Sequence, residues 1–269
     1  MYYVFMETFD LQLSHILISL LLIILCAGIS LFLGLKLEKK ILLAVIRSTI
    51  QVAALGYILR FIFKHNVSPT FFAVFAVMLF TATWTSIKRP KKPYTGIFSV
   101  SFISIFLASA ITGSYTLFLS IPQNPWYDLP QAIPLVGMIL GNSLTGVSLC
   151  LDRFISDIAL KKEYIEDQLA MGATRFEVIR PIISDAIGSG MTPILNAMMV
   201  SGLVSIPGMM TGQILAGNSP ILASKYQIII LIMICATVFL TCVGVSYLSF
   251  FKFFEKSHRF NEKLLQEVI

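Results

Sequence analysis

The 269 residues are 57% hydrophobic and 13% charged, with a mean hydropathy of +0.84, which leaves too little polar surface to cover a soluble globule of this size. The formal charge of +6 does not signal a nucleic-acid partner, because the bases sit in short clusters between apolar runs and form no stripe on a soluble domain. Cys26, Cys150, Cys235 and Cys242 each fall within an apolar stretch, with no CxxC pair and no neighbouring His, so they indicate neither a disulfide framework nor a zinc site.

A hydrocarbon core of roughly 30 Å needs about 20 apolar residues in helix, because an unpaired backbone group in lipid costs several kcal/mol. In chain order this predicts spans over 13–35, 41–63, 69–87, 97–121, 132–151, 191–215 and 226–250. The first run is too long for a signal-peptide core and is preceded by acids without Lys or Arg, so it is read as a retained span. The sixth is interrupted by Pro193, Pro207 and Gly208 and is expected to be broken or partly re-entrant. The expected fold is an all-α, polytopic transmembrane bundle of about seven spans, one domain over residues 1–269.

Lys36, Lys39 and Lys40 follow the first span, Lys88, Arg89, Lys91 and Lys92 the third, Arg153, Lys161, Lys162, Arg175 and Arg180 the fifth, and Lys252, Lys256, Arg259 and Lys263 the seventh. Only Arg60, Lys64 and Lys225 fall on the opposite side. The positive-inside rule then puts the N-terminus outside and the C-terminus in the cytoplasm, as for a multi-pass protein of the cytoplasmic (inner or plasma) membrane.

Residues 152–190 are the one long stretch that departs from membrane composition, and they predict a cytoplasmic helical hairpin. Gly172 suits a helix C′ position, and Thr174 to Glu177 has the spacing of a capping box. Phe176, Ile179, Ile183 and Ile187 then form an apolar stripe, which fits either a helix lying on the membrane surface or a docking element for a soluble partner.

The run from Glu166 to Ala173 resembles the cytoplasmic loop motif of ABC importer permeases, with a Glu six residues before a Gly; the two alanines that usually follow the Glu are Asp167 and Gln168 here. A wider set of blocks is similar to the FetB family of ABC permeases: Arg47 to Gln51, Gly137 to Ser143, Gln168 to Thr174, Gly202 to Gly212, and Lys225-Tyr226-Gln227. The resemblance implies a seven-span permease working with a separate ATPase. The bacterial family is associated with iron export and oxidative-stress resistance, and plant relatives with aluminium tolerance and nucleotide-sugar transport.

The chain has no GxxxxGK[ST] phosphate loop, so if transport is ATP-driven, as the resemblance implies, ATP and Mg belong on a partner ATPase, with no cofactor in this chain and no enzyme activity of its own expected. The expected docking residues are Glu166, Gly172, Ala173, Thr174 and Phe176. A homodimer of the permease is the default, since two ATPases work against two membrane halves. Gly137 and Gly141 offer a small-residue face either for that contact or for packing within one subunit.

Polar residues inside spans are costly and so become candidates for a substrate pathway. They are Arg47 and Gln51, four apart on span two, with Asn142 and Asn196; Arg47 has snorkelling toward the interface as its alternative. Pro207, Met209 and Met210 join them as a candidate gate, because a proline frees nearby carbonyls. The seven predicted spans hold no Asp or Glu, so a bare hard cation finds no carboxylate ligand there, and an anionic or chelated substrate, or an ion-coupled transporter or channel, remains open beside metal export.

Overall fold

The computed structural model describes residues 13–64, 67–90, 93–121, 127–254 and Leu264. Lys91, Lys92, Lys256, Arg259 and Lys263 of the topology argument lie outside the described residues. The described residues are all-helical apart from turns and an isolated bridge, and they include six helices long and apolar enough to cross a membrane.

The chain forms two compact units, divided between Asn66 and Val67. The first contains α1 (Leu13–Phe32) and α2 (Glu38–Lys64), which pack together. Their turn is held by Ser30, whose Oγ accepts from the Leu37 amide at 3.1 Å and donates to Glu38 Oε2 at 3.2 Å. Within this unit no side chain of α2 is buried, as expected of a helix whose solvent is lipid or another protein.

The second unit is built around α5 (Leu129–Leu160), which packs on α3 (Ser68–Ser86), α4 (Ile97–Tyr115), α7 (Arg175–Val200) and α9 (Pro220–Phe253). A π-helical turn, Thr116–Ser120, extends α4; α6 (Lys162–Ala170) and α8 (Gly208–Leu215) are short. At 1.5 Å per residue, α5 and α9 reach about 48 and 51 Å, longer than a hydrocarbon core, so each carries a turn or more beyond it.

Lipid supplies no hydrophobic drive between helices, so packing and polar contacts hold them. Thr112 and Thr237 share a hydrogen bond at 2.6 Å between α4 and α9; Cys150 and Ser246 lie 3.1 Å apart between α5 and α9. Ser148 Oγ donates to the Ser86 carbonyl at 3.2 Å between α5 and α3. Tyr94, ahead of α4, meets Ser249 of α9 at 2.7 Å, and burial pushes its phenol up to about 12 although the Ser249 bond works the other way. Gly146, Gly190 and Cys242 mark where α5, α7 and α9 cross. A Cβ on Gly190 would lie 2.6 Å from the Cys242 sulfur and 2.8 Å from the Gly146 carbonyl oxygen.

These contacts also fix which helix ends lie together. The Ser148–Ser86, Tyr94–Ser249 and Phe176–Phe250 pairs put the end of α3, the starts of α4 and α7, and the ends of α5 and α9 at one end of the unit. Lys88, Arg89, Arg153, Lys161, Lys162, Arg175, Arg180 and Lys252 therefore share that end, while Lys225 sits near the opposite start of α9.

The expected sixth span over 191–215 is not one helix. Pro193 is accommodated inside α7, which runs on to Val200; the interruption is the segment 201–207, after which Pro207 is the N-cap of α8. Residues 152–190 turn at Gly172 between two helices, α6 and α7, but α7 is not confined to that stretch. Their first part continues α5 to Leu160 before α6 begins, and their second arm is the start of the 26-residue α7.

Candidate coupling hairpin and broken helix

The turn between α6 and α7 forms where the sequence places it. Gly172 has φ +96°, a left-handed conformation that a side chain makes costly, and its amide donates to the Leu169 carbonyl at 3.1 Å. Thr174 and Glu177 close the capping box: the Glu177 amide donates to Thr174 Oγ1 at 3.3 Å, and Glu177 Oε2 accepts from the Thr174 amide at 2.8 Å and from its hydroxyl at 2.7 Å. The hydroxyl bond, then the amide bond, holds the Glu177 carboxyl below the usual carboxylate range.

Of the expected docking residues, Glu166, Gly172, Thr174 and Phe176 are exposed and Ala173 is half-buried, all at this tip. Glu166 is paired with Lys162 at 3.8 Å. Phe176 is 48% exposed, and its ring lies 5.0 Å from that of Phe250, with the Arg175 guanidinium 5.2 Å above it, so half of the ring already serves the bundle. Met171 (72% exposed) and Tyr164 (58%) are apolar surface at the tip that the sequence reading did not single out.

The stripe behind Phe176 faces neither a membrane surface nor a soluble partner. Ile179 and Ile183 are buried, with Val178 and Ile182 beside them and Ile187 half-buried, because α7 packs on α5 and α9. Helical periodicity revealed an apolar face, and the bundle itself covers it.

Where α7 leaves α5, four charges meet. Asp157, only 3% exposed, accepts from Arg153 Nε at 3.0 Å and lies 3.6 Å from Lys161 Nζ. The same two cations reach Asp185 of α7, at 4.0 and 3.8 Å. An exposed pair at such distances is worth about 0–1 kcal/mol, but a carboxylate as buried as Asp157 depends on its cations.

At the far end of α7, past the crossing at Gly190, ten further residues provide about 15 Å of helix, whereas α5 and α9 continue for about 26 and 33 Å on that side. The break at 201–207 thus falls within the depth that neighbouring helices cross. The amides of Leu203, Val204 and Ser205 all donate to the Val200 carbonyl and that of Gly202 to the Ser205 carbonyl. The carbonyls of Ser201, Gly202, Leu203, Val204 and Ile206 accept no hydrogen bond from described residues. Leu203 (89%), Val204 (82%) and Ile206 are exposed around them. In lipid, open carbonyls persist only where they line water or another protein surface.

The expected pathway residues divide. Pro207, Met209 and Met210 are half-buried at the break, and Asn196 is exposed one turn before it. Asn142 is half-buried on α5 and donates to the Met138 carbonyl of its own helix at 2.8 Å. Arg47 and Gln51 are exposed on α2, in the other unit. Two residues missed by sequence reasoning are Gln213 of α8 and Gln227 of α9, each burying a side-chain carbonyl oxygen with no partner among the described residues. Gly137 packs within the chain, where a Cβ would meet Met78 of α3 at 3.3 Å, and Gly141 is open. No group of three His, Cys, Asp or Glu that could hold a metal occurs among the described residues.

Residues 13–254 match the family described as an uncharacterised protein family, UPF0014. The chain belongs to that family. It is 32% identical over 255 residues to the probable iron export permease protein FetB of Escherichia coli K12, covering 94% of this chain and 96% of that one. A UPF0014 membrane protein of Synechocystis is 35% identical over 223 residues, covering 83% and 86%. The protein ALUMINUM SENSITIVE 3 of Arabidopsis thaliana is 28% identical over 242 residues, covering 90% and 87%. No solved structure matches significantly. Its apolar helices and these relatives make the chain a multi-pass membrane protein of the UPF0014 family.

Proposed function

We propose that this chain is the membrane subunit of an ABC transporter that exports iron or another metal, driven by a separate ATPase that docks on the α6–α7 tip and holds ATP and Mg. The observation that carries the reading is the single helix α7, which joins a capped, exposed tip at Gly172 to an opened backbone at 201–207. One element thus links a contact surface for a soluble partner to a segment suited to lining a pathway. In this reading the hairpin is cytoplasmic, the N-terminus is outside, and two copies of the permease face one another. Iron is the first choice of substrate because the relative from Escherichia coli carries that name.

A chelated or anionic substrate is the second reading, favoured by Arg47 and Gln51, which stand exposed on α2 one turn apart. Co-reconstitution with a P-loop ATPase separates the two. Stimulation of ATP hydrolysis by Fe²⁺ supports metal export, whereas stimulation only by a nucleotide sugar or a metal chelate supports the second, and an ATPase that neither binds nor responds to the chain contradicts both.

A further inference from the structure

The charge cluster at the base of the hairpin is larger than neutralising Asp157 requires. Arg153 and Lys161 stand four residues before and after Asp157 on the same helix, and both contact it. Yet both also reach Asp185, which α7 brings back after the whole of α6 and the Gly172 turn. The two arms are thereby tied together where they meet the bundle, and the chain between Lys161 and Asp185 is closed at both ends.

We propose that Arg153, Asp157, Lys161 and Asp185 act as a clamp that makes the hairpin and the base of α7 move as one body, so that displacement of the tip reaches the break at 201–207. The four are positioning residues: none lies at the tip or at the break. Three features give the clamp this property. Asp157 is buried and so fixes Arg153 and Lys161 in place. Asp185 is half-exposed, and among the described residues its ion pairs across the helices are with those two cations. Between Asp185 and the break α7 is uninterrupted helix, passing Gly190, where its backbone is wedged against Gly146 and Cys242 and has a fulcrum. Without the clamp the tip would yield by bending at the α5–α6 junction, and α7 would stay where it is.

The role rests on the tip docking an ATPase, so two measurements are needed. In the purified permease alone, with Cys26 and Cys235 replaced by Ala, spin labels at Tyr164→Cys and Thr192→Cys report the hairpin relative to α7. The clamp predicts one narrow distance that broadens in Asp185→Asn and stays narrow in Asp185→Glu, which keeps a carboxylate for Arg153 and Lys161. Equal widths in all three overturn it, whether or not an ATPase binds. In proteoliposomes containing the ATPase and Fe²⁺, Asp185→Asn is expected to retain co-purification and hydrolysis while Fe²⁺ moved per ATP falls about tenfold, with Asp185→Glu keeping the unaltered ratio. Transport and hydrolysis falling in parallel, or Asp185→Glu losing coupling as Asp185→Asn does in an intact complex, would overturn the clamp. Failure of the unaltered chain to bind the ATPase would instead remove the docking reading.

Discussion

The Cys242 sulfur occupies the space that a Cβ on Gly190 would need, so α7 packs its bare backbone directly against that side chain of α9. Gly190→Ala is therefore expected to destabilise the bundle by about 1–3 kcal/mol, the usual cost of overpacking. Cys242→Ala in the same chain should recover only part of that loss, because the Gly146 carbonyl and the Cys150 Cβ, at 2.8 and 3.0 Å, still crowd the site. Thermal unfolding of the two variants in detergent checks both statements.

Arg153 and Lys161 share the neutralisation of Asp157, and this predicts strong non-additivity. Either Arg153→Met or Lys161→Met alone should cost about 1 kcal/mol or less. The double variant strands a buried carboxylate, and about 3–5 kcal/mol is expected, well above the sum. A double-mutant cycle by denaturant or thermal unfolding gives the coupling directly.

At the hairpin tip, Gly172→Ala forces a side chain into the left-handed region at about 1–2 kcal/mol, and Thr174→Ala removes the cap at about 1 kcal/mol. Both changes should raise hydrogen exchange of the amides at 174–177 and weaken ATPase co-purification, leaving α5 and α9 protected.

The same cap predicts a pH dependence. The carboxyl of Glu177 is held low in the folded chain by Thr174, so its stabilisation is fully present above the ordinary glutamate pKa, about 4.3, and is lost as pH falls through the lower folded value. Exchange at 174–177 should accelerate in that acidic window in the unaltered chain and show no such step in Glu177→Gln.

Gln227 buries a carbonyl oxygen without a partner among the described residues, a costly arrangement for a residue whose role is packing. Gln227→Leu is expected to leave stability unchanged or raise it by about 1–3 kcal/mol, while lowering transport. Unfolding and transport assays moving in opposite directions would mark it as part of the pathway; lowered stability would mark it as structural.

The pattern of prediction follows the range of the interactions. The Gly172 turn and the Thr174–Glu177 box were legible because each is decided within four residues. The helical membrane architecture was legible because lipid imposes length and composition on every span. The burial of Ile179 and Ile183 was not, since periodicity shows that a face is apolar and not what covers it. Of the residues expected to interrupt the sixth span, Pro193 is absorbed by α7, whereas Pro207 and Gly208 stand where the break ends and α8 begins. Asp157 and Asp185 are 28 positions apart, and nothing local announces that two cations would bridge them. Gly146 and Gly190 carry the tight helix crossing, whereas of Gly137 and Gly141, with the recognisable spacing, Gly137 meets only the end of Met78 and Gly141 is open.

Docking at the hairpin tip is the claim on which the functional account turns, and site-specific photo-crosslinking tests it most directly. A photoreactive residue at Met171, on the exposed tip, should capture the ATPase in membranes, and one at Leu203, on the exposed break, should not. Capture from Leu203, or none from Met171 while an ATPase co-purifies with the chain, would contradict the account.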